Sequence, residues 1–218
     1  KLMNRILYKL QEDIKIQLAS LDGGSLRNAI PRESTAVVVV EAPHATQFFN
    51  VFQEIAGVIR LEFASLEPNL SISANQISTP EKVMEETYFK KLTRAIYSVP
   101  NGVFRMSPDI DGLVEASTNL ARVKVQDGIF ITQSLQRSSV ESSKSDVATS
   151  VGAAFDNIGC EVIHKGDYPG WQPNASSPIL QRLLQLYGSH FDHTPQVGAC
   201  HAGLECGILG GHFPKMDM

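Results

Sequence analysis

The side chains able to hold a metal or move a proton crowd toward the C-terminus: His190, His193, Cys200, His201, Glu205, Cys206, His212 and Asp217. His201 and Glu205 stand four residues apart, so a helix would set them on one face. A metal centre of that kind needs three or four convergent ligands. The His190-x-x-His193 spacing matches no zinc pattern. The plainer reading gives His201 and Glu205 contacts to a substrate or to neighbouring side chains, and leaves His193 and His212 solvated. Three cysteines, Cys160, Cys200 and Cys206, are too few and too scattered for a disulfide framework. They fit a reducing cytoplasm, and their plainer role is that of small buried apolar residues.

Two further positions offer recognition chemistry. Asn28, in GGSLRNAIPRE (23–33), presents an amide donor and acceptor in a loop stiffened by Pro31, although turn-forming is its ordinary role. Arg137 ends an apolar strand pattern, where a guanidinium can fork onto a carboxylate or simply form a surface ion pair. The Gly-rich start of the Asn28 segment lacks the Lys of a phosphate loop, and no Gly-x-Ser-x-Gly elbow occurs. With 19 Lys+Arg against 23 Asp+Glu, the net charge of −4 gives no basic footprint for nucleic acid. No apolar run approaches the ~20 residues of a membrane helix. At 218 residues, 43% hydrophobic and 19% charged, the chain has the composition of an ordinary globular protein.

The elements that must position these residues follow from periodicity. Leu2, Ile6, Leu7 and Leu10 stripe a helix over 1–11, and alternation predicts a strand over 14–21. TAVVVVEA (35–42), apolar on both faces, is expected as a central covered strand. Residues 44–66 form an amphipathic helix on Phe48, Phe52, Ile55, Ile59 and Phe63; such a stripe is more often simply core, but apolar surface in excess of what a sheet can cover would make it a dimer face. Thr79 before Pro80 reads as the cap of a helix running to Val99, stopped by PNG. Strands over 113–125 and 129–137 are joined by Asp127-Gly128, a hairpin signal. A helix follows and stops at Gly159, then a strand over 160–166. DYPGWQPNASSP is a boundary, after which come a helix over 178–190, a short strand near 196–200 and a helix from about 202. The order β-β-α-α-β-β-α-β suits an α+β fold with helices on one face of a mostly antiparallel sheet for residues 1–168, and the edge of a different α/β unit for 169–218. The helical start at Lys1 and the ending FPKMDM suggest a fragment of something longer.

The strings GGSLRNAIPRE, NGV (101–103), DYPGWQPNASSP, HAGLECGI (201–208) and FPKMDM (213–218) resemble the aminoacyl-histidine dipeptidase family. These are carnosinase-like, non-specific dipeptidases of the bacterial cytosol within the di-zinc aminoacylase/carboxypeptidase superfamily. The resemblance runs in order along essentially the whole chain. It implies a two-domain, two-zinc peptidase that hydrolyses Xaa-His and other dipeptides, with a ferredoxin-like lid, often a dimerisation domain, inserted in a catalytic α/β domain. Residues 1–168 would be the lid, and 169–218 an incomplete return into the catalytic domain. Zinc would lower the pKa of a bridging water and a Glu would take its proton.

On that map the two zinc ions' ligands and the general base lie outside this sequence, so the chain carries no catalytic and no metal-ligating residue and is expected to be inactive alone. What the resemblance carries over is substrate contact. Asn28 reaches toward the substrate, Asn119 lines the cleft, and Arg137 clamps the dipeptide carboxylate. His201, Gly203 and Glu205 belong to a turn that approaches the substrate, with Glu205 suited to its ammonium group. The expected partners are a dipeptide and a second copy of the chain, with neither nucleic acid nor membrane, in the cytoplasm. Two other readings are a non-catalytic dimerisation module and a stand-alone metal binder built on the C-terminal His/Cys cluster.

Overall fold

The computed structural model describes residues 1–174, 176–200 and 204–218. Helix α1 (Leu2–Asp13) forms where its periodicity predicts and buries Ile6, Leu7 and Leu10. Strands β1 (Ile16–Gly24) and β2 (Ser34–Val40) pair antiparallel, Ile16 opposite Val40 and Gly23 opposite Ser34, with a bulge between Leu18 and Ser20. A short 3-10 turn (Ala42–His44) leads into α2 (Ala45–Phe63). Helix α3 spans Glu86–Ser98, followed by β3 (Gly102–Met106), β4 (Val114–Gln126), β5 (Ile129–Ser138), α4 (Glu141–Asp156), α5 (Pro178–His190) and α6 (Glu205–His212). The strand order is β2-β1-β4-β3, and β5 also pairs with β4. The mixture of helices and antiparallel strands is the expected α+β class.

The chain divides into two compact units. The first comprises Lys1–Val99, Leu120–Ser134 and Ala153–Glu161. Its core joins Leu7, Leu10 and Ile14 with Leu18 and Leu21, Phe52, Ala56 and Ile59 of α2, and Phe89, Leu92 and Ile96 of α3. The α2 contacts are spaced by four and three residues, so one face of the helix carries them. The second unit comprises Pro100–Asn119, Leu135–Gly152 and Val162–Met218. There β3 pairs antiparallel with the first part of β4, Gly102 opposite Thr118, and Leu113, Ala116, Val147 and Val151 are buried.

Several turns form as the sequence dictates. Asp127 and Gly128 both take positive φ (53° and 77°), the backbone of a tight two-residue hairpin. Gly159 (φ 82°) ends α4: its N–H donates to Asp156 O and that of Cys160 to Phe155 O, at 2.8 and 3.2 Å. Ser177 caps α5, its Oγ accepting from Leu180 N–H, with Pro178 in the first turn.

Five expectations need correction. The apolar run at 35–42 is not a central strand: β2 lies at the sheet edge with β1 as its partner, and its valines are only half-buried. An apolar run marks a strand with something to cover, without saying whether the cover comes from the same chain. Helix α3 starts five residues later than expected. Glu85, not Thr79, caps it, its carboxylate accepting from Thr87 and Tyr88 N–H at 2.8 and 2.7 Å. Met84 N–H donates to Leu18 O of β1 at 2.6 Å, which ties the chain just before Glu85 to the sheet instead of to a helix. The PNG stop forms as expected, α3 ending at Ser98, and a strand that periodicity does not signal follows at once, with Gly102 opening β3. Residues 160–166 and 196–200 are not strands: neither run has a pairing partner among the described residues, and Val162 and Ile163 are exposed. The last helix begins at Glu205, and residues 201–203 lie outside the described ones.

Candidate functional site

Asn28 sits exposed in a turn of the loop between β1 and β2, within the first unit. The base of that loop is fixed. Gly24 N–H donates to Glu33 O at 3.3 Å, and Arg122 donates to Gly24 O at 2.8 Å while facing Asp22 at 3.5 Å. Gly24 has φ 75°, and a Cβ there would lie 1.8 Å from Ala121 O, so glycine is required. The loop therefore presents Asn28 from a rigid base.

Asn119, Arg137 and Glu205 fall in the second unit. Asn119 on β4 and Arg137 on β5 are both half-buried and lie on paired strands, beside a cross-strand bond from Gln136 Nε2 to Thr118 Oγ1 at 3.1 Å. Glu205 is exposed as the first residue of α6. His201 and Gly203 lie outside the described residues.

The same unit holds two ionic clusters that periodicity and motif spacing leave unseen. Glu115, 6% exposed, accepts from Arg105 Nε at 2.8 Å, from its terminal nitrogen at 2.5 Å and from Ser143 Oγ at 2.9 Å. A carboxylate buried in a strand needs this full set of partners, because burial of an unpaired charge is costly. The one sequence signal is an acidic residue inside an apolar strand, in LVEAS. Lys144, 9% exposed, forms the second cluster at the start of α4. Its Nζ lies 2.9 Å from Glu141 and 2.8 Å from Asp167, donates to Tyr168 O at 2.5 Å, and sits 5.7 Å above the Tyr168 ring. Burial works to lower the Lys144 pKa, but hydrogen bonds and charge from Asp167 and Glu141 outweigh it, so the ammonium is held above its ordinary value.

Among the described residues, no three of His, Cys, Asp and Glu converge on one point. His193 Nε2 instead meets Tyr187 Oη at 2.8 Å, edge-on to its ring, and the three cysteines are free. The described residues do not fit a zinc centre, and the C-terminal cluster does not assemble among them. No described helix is long and apolar enough to cross a membrane.

Residues 1–67 match the peptidase dimerisation domain. Along its whole length the chain is 34% identical to the cytosol non-specific dipeptidase of Escherichia coli (strain K12), of which it spans 45%. Its structure superposes with a TM-score of 0.95 and 30% identity on the aminoacylhistidine dipeptidase of Vibrio alginolyticus, covering all of this chain and 44% of that one. The resemblance to aminoacyl-histidine dipeptidases carried by the sequence motifs is borne out by both. The chain spans about half the length of the relatives it matches.

Proposed function

We propose that the chain is part of a zinc-dependent dipeptidase hydrolysing Xaa-His and other dipeptides in the cytoplasm. It supplies the lid, residues 1–168, and the start of the returning catalytic segment, 169–218. The observation that carries this reading is the 34% identity maintained over all 218 residues with a cytosol non-specific dipeptidase. Within that reading the substrate contacts are Asn28, Asn119, Arg137, His201, Gly203 and Glu205. An Arg suits the carboxylate end of a dipeptide and a Glu its ammonium end. The two zinc ions and the general base belong to parts of the parent protein beyond this sequence, and the chain alone is inactive.

Hydrolysis of an Xaa-His dipeptide, followed by release of free histidine, tests both statements. The purified 218-residue chain with added zinc is expected to stay at background, and turnover by it overturns the division of labour. A longer protein containing this chain is expected to hydrolyse the dipeptide, and its failure to do so overturns the dipeptidase reading.

A second copy of the chain is the proposed protein partner. Helix α2 supports it: beyond the buried stripe, Val51 and Ile55 are half-buried, and Val58 and Leu61 are 58% and 81% exposed. Edge strand β2, with its half-buried valines, supplies a backbone able to pair with another strand. The dimer is compatible with both the dipeptidase and a purely structural module, and the hydrolysis assay separates them.

A further inference from the structure

The Lys144 cluster holds down a piece of chain that the strand and helix elements leave untethered. Residues 167–170 (DYPG) have no strand or helix of their own, yet they are fixed from several directions. Lys144 Nζ takes Asp167 and the Tyr168 carbonyl at 2.8 and 2.5 Å. Glu141, one turn earlier on α4, takes Lys144 at 2.9 Å and also accepts the Gly170 N–H. One buried ammonium and one half-exposed carboxylate thus bind the side chain and backbone of a single crossing.

The crossing is packed between two other backbones. A Cβ on Gly170 would lie 2.6 Å from Ser138 O and 2.9 Å from Ser139 O, at the end of β5. A Cβ on Gly207 would lie 2.7 Å from Pro169 O and 3.1 Å from Gly170 O, so α6 meets the crossing as closely on its own account. Both glycines are therefore required by space. The end of β5, the crossing and the first turn of α6 meet at van der Waals distance. Arg137 immediately precedes Ser138, and Glu205 lies two residues before Gly207. Their backbones are joined through a crossing that Lys144 and Glu141 lock.

We infer that Lys144, with Glu141, is a positioning residue: by locking residues 167–170 it fixes the spacing between Arg137 and Glu205, and so the fit of the two charged ends of a dipeptide. This rests on the dipeptidase reading for the identity of the ligand, but not for the existence of the lock. A dipeptide in extended form spans about 7 Å. Two opposite charges facing its ends bind it well only if their separation is held, because a mobile pair loses the ordering entropy again on binding.

The test uses this chain. In Lys144→Met, amide exchange at Gly170 is expected to rise at least tenfold, with a parallel rise in the first turn of α6. Lys144→Arg restores most of the protection, and Glu141→Gln, at a half-exposed position, reproduces the exchange effect without the same risk to folding. An Xaa-His dipeptide titrated into the wild-type chain is expected to shift the amide resonances around 137–139 and 205–207, with an apparent Kd at least fivefold weaker in Lys144→Met. A rise confined to Gly170, with α6 and the apparent Kd unchanged, makes the cluster merely structural and overturns the inference. Unchanged exchange at Gly170 in both variants overturns the lock itself. Absence of any dipeptide shift in the wild type, with the exchange coupling intact, overturns the ligand assignment while leaving the lock standing.

Discussion

Tyr88 Oη and Cys160 Sγ meet 3.5 Å apart, half-buried in the first unit. The hydrogen bond to the thiol, helped by burial, pushes the phenol up to about 12. The sign of the consequence follows from linkage. The folded state keeps the phenolic proton while the unfolded chain releases it from about pH 10. Stability from this group is therefore fully present below pH 10 and is lost as pH rises toward 12. Following phenolate absorbance should show one of the five tyrosines titrating last. Cys160→Ala should bring that tyrosine back toward 10, and an unchanged titration would show that the thiol is not the cause. Individual residues of this kind are poorly legible in sequence. Asn28 in its Pro-gated loop was legible, because turn chemistry is local. The partners of Glu115 and Lys144 were not, since they come from β3, α4 and the 167–170 segment.

At the scale of elements, α2 shows how one helix serves two faces. Phe48, Phe52, Ala56 and Ile59 point to the core, and Val58 and Leu61 point out. Leu61→Glu is expected to change unfolding free energy by less than about 0.5 kcal/mol, as an exposed substitution. The same change should raise the dimer dissociation constant at least tenfold, about 1.4 kcal/mol, in analytical ultracentrifugation. An unaltered dimer moves the contact elsewhere. Helix α3 makes a different point. Its start is set by Glu85, whose carboxylate is held below its ordinary pKa by the N–H groups of Thr87 and Tyr88. The capping contribution is present above the ordinary carboxylate pKa and fades as pH falls through the lowered value. Glu85→Gln should therefore fray the first turn at neutral pH and change little in acid, as read by amide exchange at Thr87 and Tyr88.

For the whole molecule, the decisive fact is that the chain corresponds to 45% of a curated relative and 44% of a solved one. Helix α5 carries Ile179, Leu183 and Leu186 at 44%, 57% and 44% exposure, and none of its residues is buried. Spacing of four and three puts all three on one face. In the proposed parent protein that face packs against the rest of the catalytic domain. Leu183→Lys in the present chain is thus expected to reduce binding of an apolar dye and leave the thermal midpoint nearly unchanged, because no core contact is lost. A large fall in the midpoint would mean that α5 already packs within the chain.

Local chemistry settled what the sequence alone determined: most helices, the Asp127-Gly128 hairpin, the Gly159 stop and the motifs of the dipeptidase resemblance. Each depends on residues within a turn or two of one another, where periodicity and φ preferences act directly. Only the tertiary structure decided that β2 is an edge strand, that Met84 pairs with Leu18 and so delays α3, that β3 exists, and that residues 160–166 join no strand among the described residues. Strand pairing and ion clusters join residues far apart in the chain. Their formation is decided by which backbone edges and charges the fold brings within hydrogen-bond reach, and no local pattern records that.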